Sequence, residues 1–553
     1  MSVREAPPAD AGTAARVPRA DLAAAGAALG LLVLACVAGA GLYLAGRPVH
    51  ASSAPFTAHW FPHVGPGTPL ALAVAALVGW HGPRLAARLS WRPLLAAGYA
   101  AAIAWILSLA LIDGWQRGLA GRLTTSDEYL SEVGGVTDVP AMLRGFTGRI
   151  LAFQPDSWTT HVAGHPPGAL LVFVGLDRVG LGGGTWAALV CVAVGALIAV
   201  AIPVTIRALG DETAARAAVP FLVLLPGAVW IGVSADGMFA GVTATGLALL
   251  AVAATRRHAA AGFGAGLLLA FGLYLSYGLT LIAVPALAVL LLARRRRPLP
   301  WLAIGAACGG GAAVVAAFTF AGFSWLDGYH LVVVRYYQGI ASERPYAYWI
   351  WADLALVIAS AGPAAAVLLR RAALDTNLPA LLRRPRQLAN SGPAALPPFA
   401  APARRPRPVA DSGPFAALQR LPRQLADSGP FAALQRLPRL LANSGPFAAL
   451  QRQERLLADS RPAAPLPFAT SRRYPRLLAG LGPASLLPLA ALAAILAADL
   501  SGLSKAEVER IWLPFAVWLT AGATLLPAPS RRFWLIVQAS VALLVNHLLL
   551  TTW

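Results

Sequence analysis

Lysine is almost absent from this chain: Lys505 is the one lysine among 44 basic residues, so nearly every positive charge is an arginine. That skew fits the codon usage of a GC-rich genome and carries no functional weight. Cysteine is equally sparse, at 3 residues, and Cys36, Cys191 and Cys308 all lie inside apolar runs without metal-type spacing. This argues against a disulfide framework and against thiol chemistry. Charge itself is scarce: 12% of residues are charged against 58% hydrophobic, and the mean hydropathy is +0.64. A water-soluble globular protein of 553 residues does not have that composition.

What is present is a succession of apolar runs, each near the roughly 20 residues that cross a hydrocarbon core about 30 Å thick. The chain therefore reads as an all-α, polytopic transmembrane helix bundle of about 12 to 14 spans with an amphipathic helix lying on the outer surface. The first run, "LAAAGAALGLLVLACVAGAGLYLAG" (22–46), is too long for a signal-peptide core and lacks a cleavage pattern, which makes it an uncleaved span. A net charge of +20 invites a nucleic-acid reading, yet the arginines sit mostly in short loops and in one long insert. Positive-inside bias explains them better, so no nucleic-acid partner is expected and the setting is a plasma (inner) membrane crossed many times.

With a cytoplasmic tail at 1–21, the basic segments 81–92, 207–218, 256–258, 294–297 and Arg370–Arg371 all fall on the cytoplasmic side. An N-terminal bundle then covers 22–371, with C-terminal helices over 476–553, the last of them at 532–552. Between them, residues 372–475 carry a tandem period of 16, as in "DSGPFAALQRLPRQLA" and "DSGPFAALQRLPRLLA". Prolines recur every eight residues from Pro414 to Pro446, which predicts an expanded cytoplasmic insert able to rest on anionic lipid.

The loop 113–165 falls outside the membrane and contains "TSDEYLSEVGGVTDVP" (125–140), with four carboxylates in an otherwise apolar chain. A helix is predicted within 137–154, capped by Thr137 or Asp138 and lying flat on the outer leaflet. The apolar segment 166–184 is short and holds Asp177 and Arg178, so it is expected to be a short or re-entrant helix. "YLSYG" (274–278) splits a long apolar stretch into two short helices that meet near the outer face. Trp60, Trp349 and Trp351 read as an interfacial aromatic belt.

Sorted by side, acids and polar aromatics gather outside: Asp127, Glu128, His161, His165, Asp236, Asp327, Arg335, Tyr336, Tyr337, Glu343, Arg344, Glu507, Glu509 and Arg510. Acids at the mouth of a helix bundle suggest proton transfer or cation binding. Glu507 and Arg510 also stand at i, i+3, the spacing of a plain helix-surface ion pair. Asp353, two turns into its span, is the costliest acid to bury and is expected to pair with an arginine outside.

The acid pair in the first outer loop, the surface helix, "HPPG" (165–168) opening an apolar segment, and the acid in "WIGVSADGMFAG" (230–241) together resemble the GT-C superfamily of polytopic glycosyltransferases, in the branch of the protein mannosyltransferases and aminoarabinose transferases. The likeness covers roughly 95–300. Gly168, Ala169 and Leu170 depart from the leucine and tyrosines usual after the HPP motif, and Ser234 and Ala235 stand where Arg-Pro commonly precedes the later acid. The resemblance implies transfer of a sugar from a polyprenyl-phosphate donor to a glycan, lipid or protein acceptor at the outer face, next to membrane lipids. Asp127 is then the general base, assisted by Glu128 or exchanging roles with it. His165, Asp236, Arg335, Arg344, Glu509 and Arg510 bind substrate or its phosphate. A divalent metal, Mg or Mn, held by Asp127 and Asp236 is a further option. The rival reading is a transporter, or a lipid-linked-glycan flippase or polymerase. No repeat of topology between the two halves supports transport.

Overall fold

The computed structural model describes residues 17–232, 234–376 and 482–551. The body of the repeat insert expected over 372–475 lies outside the described residues. Among the described residues, eight helices are long and apolar enough to cross a membrane, and nine if the bent pair Tyr346–Ala361 and Pro363–Asp375 counts as one. The expectation of about 12 to 14 spans is not reached among the described residues, because several hydrophobic runs traverse the bundle in pieces. The pass after residue 211 is the helix Glu212–Val223, a turn at Pro226 and Gly227, and the single turn Ala228–Ile231. The run at 513–525 is one α-helical turn followed by the 3-10 stretch Val517–Leu525. The bent pair turns by 103° at Gly362, whose φ of 82° suits glycine, and Pro363 then opens the second helix.

The bundle has two chemically distinct ends, and the basic loops gather at one of them. At one end, Arg216 donates to the carbonyls of Ala86 and Leu89 at 3.0 and 2.8 Å, and Arg296 donates to that of Gly210 at 3.2 Å. Arg371 donates to Leu525 O at 3.1 Å, Arg370 and Arg371 clasp Asp21, and Arg532 stacks near Trp80 at 5.0 Å. The segments read as cytoplasmic thus meet one another. The opposite end carries the loop 113–165 and every candidate site residue.

The segment 166–184 forms only the helix Gly168–Arg178, and both of its ends stay at the outer end. Arg178 donates to Thr137 O at 3.1 Å. A side chain at Gly168 would collide with the Tyr274 carbonyl, which is a physical reason for glycine where the HPP motif usually continues with leucine. "YLSYG" behaves as expected: the helix Ala259–Leu275 stops, Ser276 is extended, and a 3-10 stretch Tyr277–Ile282 leads into Ala283–Arg296.

The predicted outer helix within 137–154 is shorter, Val139–Gly145 followed by a 3-10 turn Phe146–Arg149, because Gly145 and Gly148 weaken it. Its cap is Asp138, which accepts from the Ala141 N–H at 3.0 Å. A second outer helix, Trp325–Gln338, crosses the same face. Strands Ala58–Trp60 and Leu549–Thr551 pair antiparallel, tying the loop after the first helix to the end of the chain. The last helix therefore ends at Leu548, short of the predicted 552. Trp60 is exposed, whereas Trp349 is fully buried with its indole N–H on Val49 O at 3.2 Å, so Trp349 leaves the aromatic belt and serves packing.

Candidate functional site

A cavity of about 1840 Å³ opens among the outer loops. One wall holds Asp127, His161, His165, Arg344, Glu507 and Arg510; another holds Leu32, Cys36, Tyr43 and Leu44 of the first helix and Leu544 and Leu548 of the last. The polar wall faces loop chemistry, and the apolar wall belongs to membrane helices whose outer turns are open, with Leu44 86% exposed.

The four carboxylates of 125–140 separate into distinct tasks. Asp138 caps a helix. Glu132 accepts from the Thr159 N–H at 2.9 Å and lies 3.5 Å from Arg149, whose guanidinium stacks 3.3 Å from the Trp158 ring, so it fastens the loop to itself. Glu128 is buried, 2% exposed, and its Oε2 has no hydrogen-bond partner among the described residues. Asp127 alone stays open to the cavity, its Oδ1 accepting from the Thr160 hydroxyl at 2.8 Å.

Below Asp127 runs a chain of alternating charges drawn from three distant segments. Arg510 donates to Asp236 at 2.8 Å and to Glu507 at 2.8 Å; Glu507 accepts also from Arg344 at 3.1 Å. Arg344 donates to Lys505 O at 2.7 Å, while the Lys505 ammonium donates back to Arg344 O at 2.9 Å. The turn that presents Glu507 is strained: Ala506 and Glu507 take φ of 68° and 61°. Left-handed non-glycine residues cost on the order of 1–3 kcal/mol each and persist only where surroundings over-determine them. Here Asp353 accepts from the Ala506 N–H at 3.1 Å and the Tyr336 hydroxyl accepts from the Lys505 N–H at 2.9 Å. Asp353 thus binds a backbone N–H rather than the arginine expected for it.

Burial would raise Glu507, but Arg510 and Arg344 outweigh it and hold its carboxyl below the usual range. Burial would likewise lower Arg510, but Asp236 and Glu507 keep it firmly cationic. Glu128, with desolvation dominating over the attraction of Arg510, is pushed up to about 7. Glu509, also buried, is pushed up to about 8.

The histidines have defined tautomers. His161 receives a guanidinium N–H from Arg510 on Nε2 at 3.1 Å, so that nitrogen is bare and Nδ1 carries the proton, donated to Asp127 O at 2.9 Å. Burial, Arg510 and His165 together lower its pKa to about 4. His165 donates from Nδ1 to His161 O at 2.8 Å, and burial lowers its pKa also. Its Nε2 is therefore a lone pair. The phosphate contact expected of His165 would fall to Nε2, which is an acceptor in this tautomer.

Of the predicted residues, Asp127, His165, Arg335, Arg344 and Arg510 line the cavity. Glu128, Asp236 and Glu509 do not; they lie beneath it at 2%, 4% and 2% exposure. Asp236 supports Arg510, and Glu509 has an unpartnered Oε2, so direct substrate contact is corrected for both. Arg335 has no ion-pair or hydrogen-bond partner among the described residues, which leaves its guanidinium available. Glu507 and His161 are missing from the residues singled out as catalytic or substrate-binding. Their signal was the charged "SKAEVER" (504–510) between apolar runs and the histidine four residues before His165. Among the described residues no group of three or more His, Cys, Asp or Glu could hold a metal ion. A Mg or Mn ion between Asp127 and Asp236 would have to displace Arg510 from Asp236, so these residues do not fit one and no step is assigned to it.

No family model and no curated protein matches the sequence. Among solved structures, the Archaeoglobus fulgidus oligosaccharyltransferase in its apo form aligns at 12% identity and a TM-score of 0.37, covering 78% of this chain and 50% of its own. The chain spans about half the length of that protein, and at this similarity neither fold nor chemistry transfers from it.

Proposed function

We propose that this protein is an integral-membrane glycosyltransferase that moves a sugar from a polyprenyl-phosphate donor to an acceptor hydroxyl at the outer face. The observation that carries the reading is the single cavity with an open carboxylate and fixed cations on one wall and lipid-facing helix residues on the other. An amphiphilic donor needs both: water-side groups for its phosphate and sugar, and an apolar exit for its chain.

In the reaction, the acceptor oxygen attacks the anomeric carbon, the bond from that carbon to the phosphate oxygen breaks, and the acceptor proton passes to Asp127. A neutral hydroxyl is a weak nucleophile, and a carboxylate within hydrogen-bond reach contributes about 10²–10⁴-fold. Arg335 binds the donor phosphate, because it alone of the cavity arginines is not spent on a protein carboxylate or carbonyl. Arg510 and Arg344 fix the cavity floor through Glu507. His165 Nε2 receives a second sugar hydroxyl.

The test is reconstituted full-length protein with radiolabelled polyprenyl-phosphate sugars. Carrier-dependent loss of donor is expected in wild type, falling by about 10²–10⁴-fold in Asp127→Asn. Absence of donor consumption, or an Asp127→Asn variant as active as wild type, sinks the reading. The outer placement has its own check: a cysteine at exposed Ser131 should react with a membrane-impermeant thiol reagent applied from outside intact cells.

A further inference from the structure

We infer that Thr160 and His161 are positioning residues for the base: together they hold Asp127 so that its Oδ2, and neither Oδ1 nor the adjacent Glu128, takes the acceptor proton. This deepens the reading above and rests on it. Two consecutive residues place three hydrogen bonds on Asp127. The Thr160 hydroxyl donates to Oδ1 at 2.8 Å, the His161 backbone N–H donates to the Asp127 carbonyl at 3.0 Å, and His161 Nδ1–H donates to the same carbonyl at 2.9 Å. Both residues line the cavity beside Asp127.

The directions of these bonds are forced. An ionised carboxylate only accepts, so the Thr160 proton points at Oδ1 and draws on its charge, which leaves Oδ2 for an incoming hydroxyl. On His161, Nε2 receives the Arg510 N–H at 3.1 Å, so the single ring proton sits on Nδ1. That proton has two acceptors in reach, Asp127 O at 2.9 Å and Glu128 Oε1 at 3.6 Å, and only the first lies within hydrogen-bond range.

The short helix Thr160–Gly164 that carries both residues is itself tied down, because the Thr159 N–H before it is donated to Glu132 at 2.9 Å. His161 is buried and held at both nitrogens, so it fastens the backbone at 127 to the charged floor under the cavity. With that carbonyl pinned, the side chain of Asp127 is presented to the cavity and that of Glu128 goes beneath it, 2% exposed. A carboxylate on a loop would otherwise sample several orientations, and a misplacement of about 1 Å at a reacting group costs up to about 10²-fold in rate.

The experiment is steady-state donor consumption by the full chain in proteoliposomes, with radiolabelled polyprenyl-phosphate mannose and polyprenyl-phosphate arabinose as the donors tried. Thr160 is exposed, and Thr160→Val keeps its shape while removing the hydroxyl. This variant should lose about tenfold in kcat with donor KM within about twofold, and Thr160→Ser, which restores the hydroxyl, should match wild type within about twofold in both. At 161, asparagine can place an N–H where Nδ1 stands and glutamine can reach Arg510 with its oxygen, so His161→Asn should retain more kcat than His161→Gln. Should either His161 variant fail to elute as a monodisperse species, the Thr160 pair decides. The inference is overturned if Thr160→Val keeps the wild-type kcat, if its defect lies in KM alone, if Thr160→Ser is as impaired as Thr160→Val, or if folded His161→Gln matches or exceeds His161→Asn. An inactive Asp127→Asn beside a fully active Thr160→Val would sink this inference and leave the transferase reading standing, whereas a wild type that consumes no donor takes both down.

Discussion

At the inner end of the bundle, Asp21 is fully buried between Arg370 and Arg371, at 3.1 and 2.6 Å, and both arginines keep part of their side chains in water, 37% and 23% exposed. At the outer end, the chain Arg344, Glu507, Arg510 and Asp236 alternates in sign, and no side chain in it exceeds 14% exposure. The inner cluster joins the first helix to the end of the bent pair and does not line the cavity beside Asp127. The outer one draws on three segments up to 274 residues apart and forms a cavity floor. Buried ions are weak evidence for stability as such, because desolvation offsets attraction. What separates the two is whether water can take over when one partner is removed.

The largest expected effect follows from that difference. Arg510→Met strands Asp236 and Glu507 without their shared cation, at a cost of about 3–5 kcal/mol, while Asp21→Asn leaves two arginines that water reaches and should cost about 1–2 kcal/mol. Thermal unfolding in detergent measures both. Equal losses would erase the contrast between the ends. Activity sharpens it: Asp21→Asn should turn over donor as wild type does per folded molecule, and Arg510→Met should not.

Next comes the pH dependence, which the outer end alone should impose. Glu128 and Glu509 have folded pKa values raised to about 7 and about 8, so their contributions are fully present below the ordinary carboxylate range and are lost as pH rises through those values. His161, lowered to about 4, works the other way: its contribution is present above its ordinary value near 6.5 and is lost as pH falls towards 4. Between pH 7 and about 8.5 the contributions of Glu128 and Glu509 are being lost, and Tm should decline. The double variant Glu128→Gln, Glu509→Gln should flatten that decline, and an unchanged slope would remove these two groups from the account.

Arg335→Ala ranks third. A charge-assisted hydrogen bond is worth about 1.5–3 kcal/mol, so KM for the polyprenyl-phosphate donor should rise at least about tenfold with kcat nearly constant. A fall in kcat at unchanged KM would place Arg335 in the transition state rather than in donor binding.

These effects also mark where the sequence was informative. Hydropathy and arginine placement are local in the chain, so the bundle, the two ends, the break at "YLSYG" and the short helix at Gly168–Arg178 were legible. The acids at 127, 128 and 236 were legible as groups at one end of the bundle but not as neighbours. Which of Asp127 and Glu128 faces the cavity depends on one rotation of a loop, and spacing between adjacent residues is silent on that. The coupling of Asp236 to Arg510 spans 274 residues, and the role of Glu507 depends on a left-handed turn that Ala506 and Glu507 themselves do not favour. Span number stays an expectation for a related reason, since proline and glycine break some apolar runs into pieces that composition averages over.

The smallest effect tests the inner end on its own terms. Arg216 donates to the last carbonyls of the helix Thr68–Arg88 and its exit, Ala86 and Leu89, and pairs with Glu212 at 2.7 Å. The two contacts differ in kind: helix-end carbonyls lack intrahelical partners, whereas Glu212 is 43% exposed and its pairing is screened. Arg216→Ala should therefore cost about 1 kcal/mol, and Glu212→Gln should cost less. Raising salt should shrink only the second. If Glu212→Gln proved the costlier, the inner end would be held by ion pairs after all, and its arginines would resemble those beneath the cavity.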